Sequence, residues 1–438
     1  MTARVAKATL AQRTGVGPVP PRTEVWRRSD AASRSAGKDG HEHGGRSMGR
    51  LAVVLLATWL AACAAPSVAP VAQPDGRFFS DHLFAAPSER VSAADVFALS
   101  EEMRRYLRAE IAEQARAKGR RQALVDALFS KGELKLEYDA ERTRNAAEAF
   151  AAREGNCLSL VIMTAAFARA LELPIEYGKA IVDETWARTG DMDLLIGHVN
   201  LTLGRGSNDP PAPGPRTAAS VRNDGATTID FLPPSEARTL RTRPIREATV
   251  IGMYMNNRAV EALAAGRIDD AYWWAREALV QAPELVLAYN TLGAIYVRRG
   301  RLHEAERAFA HVLAVEPGNA LGLSNLIPVL TALGRVNEAQ RLTERRNRLE
   351  AEPPFVHLHR GIAALQSGDA RTAREEFARE VARDPHYHES QFWLGVAYLR
   401  TGEVEMARKY LALAMENSTT RRDREIYGTK LERLNRMR

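Results

Sequence analysis

Cysteine is nearly missing from this chain: 438 residues contain two, Cys63 and Cys157. They lie in unrelated contexts, so no intrachain disulfide framework is expected. In an oxidising compartment a lone thiol is a liability unless it is buried or used. Cofactor signatures are missing too, with no HExxH, no CxxC and no phosphate-cradling glycine loop. The pairs His41/His43, His357/His359 and His386/His388 are spaced i, i+2 and would not share a helix face. No metal ion and no cofactor are therefore expected. The apolar run Leu51 to Leu60 is too short to span a bilayer as a helix. Nor is there a usable surplus of positive charge. The net charge is +7, but residues 1–47 hold nine Lys/Arg against four Asp/Glu, and the chain beyond Cys63 is close to neutral, at about +1. A nucleic-acid partner is excluded on that basis. What remains, 45% hydrophobic and 26% charged, is a globular composition long enough for two or three domains.

Residues 1–47 are polar, rich in Gly, Ser and Arg, and without periodicity. They are expected either to be disordered or to precede the true start at Met48. Met48-Gly49-Arg50 and the following apolar run have the basic and apolar regions of a signal peptide, closed by Leu60-Ala61-Ala62-Cys63. That ending resembles a bacterial lipobox. The resemblance implies a signal peptide over 48–63 and lipid on Cys63; the other reading is an ordinary signal peptide with an incidental cysteine. Several acyl chains would anchor stably, since each buried methylene contributes roughly 0.8 kcal/mol. Ala64, not Asp, follows the cysteine, which favours the outer membrane, facing the periplasm. A tether is expected over 64–89, with residues 64–75 its Ala/Pro/Val-rich part.

From residue 90 to 245 helical and extended patterns mix. Val96, Leu99, Met103, Leu107 and Ile111 recur at helical spacing, which predicts a helix over 92–117 starting near Ser92 and Asp95. Shorter helices are predicted over 120–128 and 143–152, with a strand or extended segment over 134–138 between them. Residues 158–171 are nearly all apolar, with Arg169 the one charge, and predict a helix buried on most sides. Extended segments are predicted over 174–183, 197–204 and 226–232, with a surface loop over 208–223 holding four prolines. This is an α+β layout.

From Gly252 the chain repeats every 34 residues, in units starting at 252, 286, 320, 354 and 388. Position eight is Gly293, Gly361 or Gly395 in three units, and position twenty is alanine in all five: Ala271, Ala305, Ala339, Ala373 and Ala407. Position thirty-two is Pro283, Pro317 or Pro385 in three. Small residues at eight and twenty would let two antiparallel helices approach closely, and proline would end the second. The spacing resembles the tetratricopeptide repeat. It implies five repeats over 252–421 and a charged capping helix over 422–438. By that resemblance Asn256 and Asn290 at position five, and Arg298 and Arg400 at position thirteen, line a concave protein-binding groove. Core packing is the default for Trp273 and Trp274.

Three short motifs carry candidate chemistry. Cys157 follows Gly155-Asn156 at the head of the buried helix, where unpaired amides and the helix dipole favour a thiolate. On the segment after it, Val199, Leu201 and Leu203 point one way and His198, Asn200 and Thr202 the other. Asp230 stands between Ile229 and Phe231, where its carboxylate could fix the imidazole tautomer. Arg153-Glu154-Gly155-Asn156-Cys157-Leu158-Ser159, His198-Val199-Asn200 and Ile229-Asp230 together resemble the transglutaminase-like superfamily of papain-type thiol enzymes, over roughly residues 90–245. The resemblance implies Cys157 as nucleophile, His198 as proton shuttle and Asp230 as its partner. The residue after the family's cysteine is often aromatic; here it is Leu158.

The implied architecture is an α+β transglutaminase-like (papain-type) domain followed by an all-α tetratricopeptide-repeat solenoid. Two functions fit. One is an envelope-anchored, thiol-dependent acyl-transfer enzyme acting on peptide or protein amides, with water or an amine resolving the thioester. The other is a non-catalytic outer-membrane lipoprotein scaffold that gathers protein partners through its repeats.

Overall fold

The computed structural model describes residues 9–11, 76–129, 134, 136–181, 185–189, 192–204, 226–231, 241–349 and 354–436. Cys63, the signal-peptide segment, residues 64–75 and the loop over 208–223 lie outside these residues. Within the stretch expected to lack structure, Thr9–Ala11 forms a short strand, β1. Among the described residues no helix is long and apolar enough to cross a membrane.

The tether expected up to residue 89 has ended by Gly76. From there the chain lies along the first two repeats through short 3-10 turns at Gly76–Phe78 and Asp81–Leu83. Phe78 and Phe84 are buried, and the Phe84 ring stacks on Tyr272 with centroids 3.8 Å apart. Main-chain groups are met as well. Tyr296 Oη donates to Phe78 O at 2.7 Å and Trp273 Nε1 to Ala85 O at 2.6 Å, while Ser80 N donates to Tyr272 Oη at 2.9 Å. An Ala/Pro-rich composition suggests a tether; two phenylalanines seeking cover override it.

The first helix starts later than the periodicity predicts. Ala93–Asp95 is only a 3-10 turn. The helix runs from Glu101–Tyr106 (α1) through a π-turn at Leu107–Ile111 into Ala112–Lys118 (α2). Ser100, not Ser92, is the cap, accepting from Met103 N. Arg120–Phe129 (α3) follows. Glu137–Tyr138 (β2) pairs in parallel with Glu154–Gly155 (β3). Between them Ala146–Ala152 (α4) begins three residues after the predicted start, because Asn145 and Glu148 form a capping box there. Cys157–Ala170 (α5) is buried from Cys157 through Ala168.

Against α5 lies an antiparallel sheet of Ile175–Ile181 (β4), Val199–Leu203 (β7), Thr227–Asp230 (β8) and Arg241–Ile245 (β9), with Thr185–Thr189 (β5) and Met192–Ile196 (β6) as a separate hairpin. The order is β1-β8-β7-β4-β9. Val199, Leu201, Leu203 and Ile229 are fully buried, as their alternation requires.

The repeats follow as helix pairs: Glu247–Ala264 (α6) with Ile268–Gln281 (α7), Val286–Arg298 (α8) with Leu302–Val315 (α9), Ala320–Ala332 (α10) with Val336–Leu349 (α11), Val356–Gln366 (α12) with Ala370–Arg383 (α13), and His388–Arg400 (α14) with Val404–Asn417 (α15), closed by Arg421–Arg436 (α16). All five position-twenty alanines are buried. A Cβ at Gly293 would meet Phe309, and one at Gly361 would meet Phe377. In these two repeats position eight must therefore be small, whereas the third repeat has Ile327 there. Position fifteen, passed over in the sequence, is Gly266, Gly300, Gly334, Gly368 and Gly402, all with φ between 74° and 86°. That left-handed turn between paired helices suits glycine.

Candidate active site

Asn156 caps α5, its Oδ1 accepting Ser159 N at 2.9 Å, and Cys157 is the first helical residue. Its N–H therefore has no acceptor inside the helix. A Cβ on Gly155 would sit 2.7 Å from Ser159 Cβ, so the chain enters the helix this abruptly only with glycine. Cys157 is a free thiol, 8% exposed. It is sheltered without being sealed.

His198 immediately precedes β7, and its carbonyl accepts Ala180 N at 2.9 Å. Its Nε2 lies 2.9 Å from Asp230 Oδ1 at the end of β8. The Cys157 sulfur also raises the pKa of the imidazole, and α5, which Cys157 heads, packs against β7, which His198 precedes. The fold thus gathers Cys157, His198 and Asp230 in one region, although 73 positions separate the first from the last. Burial alone would pull the imidazolium down. The hydrogen bond to Asp230 and the interaction with Cys157 outweigh it and push His198 up from 6.5 to about 9. The ring is then protonated at neutral pH.

Residues not singled out in the sequence complete the site. Asn200, two residues along β7, donates from Nδ2 to Asp230 Oδ2 at 3.3 Å, so both carboxylate oxygens are engaged. Gly178 is directly across the sheet from Asn200, and a Cβ there would collide with that carboxamide. Tyr138 pairs with Gly155 in the β2–β3 register. Its phenol is pushed up by burial first, and by Cys157 and Asp139 as well. The alternation over 199–203 could have flagged Asn200, which shares the His198 face. Tyr138 gave no such signal.

The groove residues are divided. Arg298 and Arg400 are exposed. Asn256 and Asn290 are not: they are 2% and 7% exposed. Around Asn256 the α+β part covers this face of α6, with Met253 Cε 3.7 Å from the site of a Cβ on Gly197 and Asn257 bonded to Thr143. Asn290 Oδ1 instead accepts Asn325 Nδ2 from the next repeat at 3.0 Å. Trp274 is buried; Trp273 is half-buried against Ala85.

The C-terminal part carries tetratricopeptide repeats, a protein-interaction module. Residues 358–420 match the tetratricopeptide-repeat family model. Cellulose synthase operon protein C of Pseudomonas fluorescens (strain SBW25) is 29% identical over 125 residues, covering 27% of this chain and 10% of that protein. The chain thus spans about a tenth of that relative's length. Among solved structures, TTC0263, a thermophilic TPR protein of Thermus thermophilus, is 21% identical, covering 41% of this chain and 98% of that one at a TM-score of 0.29. YrrB, described as a TPR protein with an unusual peptide-binding site, is 21% identical, covering 41% and 92% at a TM-score of 0.23.

Proposed function

We propose that this protein is a thiol-dependent acyl-transfer enzyme of the transglutaminase-like kind, held at the bacterial envelope by lipid on Cys63, whose repeats bring a protein partner to the site. The observation that carries the reading is His198, whose Nε2 lies 2.9 Å from Asp230 Oδ1 at the head of the strand packed against the Cys157 helix. In this reading the Cys157 thiolate attacks an amide carbonyl to form a tetrahedral adduct. The oxyanion faces the N–H of Cys157 at the mouth of α5. The imidazolium gives its proton to the departing amine, leaving a thioester on sulfur. Neutral His198 then takes a proton from water or an incoming amine, which attacks the thioester and restores the thiolate. Asp230 holds the ring orientation throughout and stabilises the imidazolium. The substrate class is a peptide or protein amide.

The test is labelling of the intact protein with an iodoacetamide probe, read by the site labelled. The reading expects Cys157 to be modified faster than a free thiol at pH 6–7 and His198→Ala to lose the excess. An unreactive Cys157 would sink it. One observation favours the scaffold alternative: the family-model match, over 358–420, falls wholly on the repeats. Partner capture by the Cys157→Ala protein, together with full biological activity of that variant, would decide for a scaffold.

A further inference from the structure

The loop over 139–145 links β2 to α4 and lies against the cap of α5. Thr143 at its centre is 2% exposed, and its hydroxyl oxygen accepts two amides, Asn156 Nδ2 at 2.9 Å and Asn257 Nδ2 at 3.2 Å. Asn156 is the cap of the Cys157 helix. Asn257 belongs to α6, the first helix of the first repeat. Glu261, one turn further along α6, accepts Thr143 N at 2.6 Å. Arg258, on the same helix and 5% exposed, places its guanidinium Nε 3.5 Å from Glu261 and Nη2 3.1 Å from Glu89. The other end of the loop is held as well, for Ala140 N donates to Thr419 O, at the end of the fifth repeat, at 3.0 Å. Arg144 N reaches Ser159 Oγ at 2.8 Å, and that hydroxyl donates to Asn156 Oδ1 at 2.9 Å.

These bonds form one path: Glu261 and Asn257 to Thr143, Thr143 to Asn156, Asn156 to the first turn that carries Cys157. A cap fixes a helix terminus only while its own side chain is fixed. The Asn156 carboxamide points its oxygen at Ser159 because its nitrogen is held by Thr143.

We propose that Glu261 and Asn257, on the first repeat, are positioning residues for Cys157, and that the repeat array sets the reactivity of the thiol by gripping the 139–145 loop. This rests on the reading of Cys157 as nucleophile. Misplacing a reacting group by about an ångström lowers rates by as much as about a hundredfold. The variants here shift the cap rather than delete it, and the expected loss is about tenfold.

The experiment follows the rate of Cys157 modification by iodoacetamide from pH 5.5 to 9.5 in the full chain, beside thermal melting of the same samples. Glu261→Ala and Asn257→Ala each slow the reaction at pH 6–7 about tenfold and move the profile toward that of a free thiol. Glu261→Gln, whose amide oxygen still accepts from Thr143, recovers most of the rate. A purely structural role would lower the melting temperature and leave rate and profile unchanged. That result, with a reactive wild type, overturns the inference and leaves the proposed function standing. If the wild-type thiol does not react, both fall. Should Glu261→Ala fail to fold, Asn257→Ala and Thr143→Val, which leave the carboxylate in place, decide by the same criterion.

Discussion

Repeats one and two have the same 34-residue spacing as repeats four and five, yet they sit in the molecule differently. The front repeats share one continuous core with the α+β part, running from Phe78 through α5 and the sheet to Ala339. The back repeats form separate clusters, one around Phe355, Phe377 and Leu394, the other around Leu411 and Leu434. The third repeat is where they divide. Its second helix, α11, buries only Ala339, and the family-model match begins beyond it at residue 358. The front repeats spend Tyr272, Trp273, Trp274 and Arg276 on the segment over 76–91 and Asn257 and Glu261 on the 139–145 loop. A repeat face used inside the molecule is not open to a partner. The same unit serves as a buttress at the front, while the back repeats keep cores of their own.

If the front carries the chemistry, the largest effect should come from the site. His198→Ala should slow Cys157 modification by about ten- to thirtyfold at pH 7, the most that full ionisation gains over a thiol of pKa about 8.5, while Gly361→Ala in repeat four leaves that rate unchanged. Equal losses in both would erase the distinction between front and back. Next comes Tyr272→Ala. This fully buried ring stacks on Phe84 and bonds Ser80 and Asp81. Its loss should cost about 3–5 kcal/mol, measured by urea unfolding with tryptophan fluorescence, and should weaken the site along with the fold. Gly361→Ala should cost about 1–3 kcal/mol through overpacking against Phe377, confined to a back-end transition that hydrogen exchange can resolve. Between pH 7 and 10 a pH effect is expected at the front. His198 is raised from 6.5 to about 9, so its contribution to stability is complete below about 6.5 and is lost as pH rises through about 9. Protection of α5 amides should fall between pH 7 and 10 in the wild type and less so in His198→Gln. The smallest effect should be Glu113→Ala. Its pair with Arg116 is exposed, and its loss should change stability by less than about 0.5 kcal/mol.

How much of this was legible depended on whether a signal was periodic or local. The repeats were readable because close helix packing imposes small residues at fixed positions, and Ala271 through Ala407 obey it. Cys157, His198 and Asp230 were picked out by the resemblance of their flanks to the transglutaminase-like motifs, with strand alternation giving His198 and Asp230 their faces. Asn256 and Asn290 were misread as groove residues, since period places a residue on a face and says nothing about what covers it. The cover over Asn256 comes from residues around 143 and 197, more than fifty positions away. The docked segment over 76–91 was read as tether for the same reason: Phe78 and Phe84 find their partners only in repeats one and two. The late start of α1 turned on local capping, where Ser100 and Ser92 are equally plausible on paper and only one has a helix to cap.

The central claim is that Asp230, His198 and Cys157 act as one chain. It is tested most directly by measuring Cys157 alkylation against pH in the wild type and in Asp230→Asn. The account predicts that the wild type reacts at pH 6 at least about tenfold faster than a free thiol. In Asp230→Asn that low-pH reactivity should disappear, with the rate rising only through the ordinary thiol range near about 8.5. Superimposable profiles for the two proteins, both following a free thiol, would contradict it.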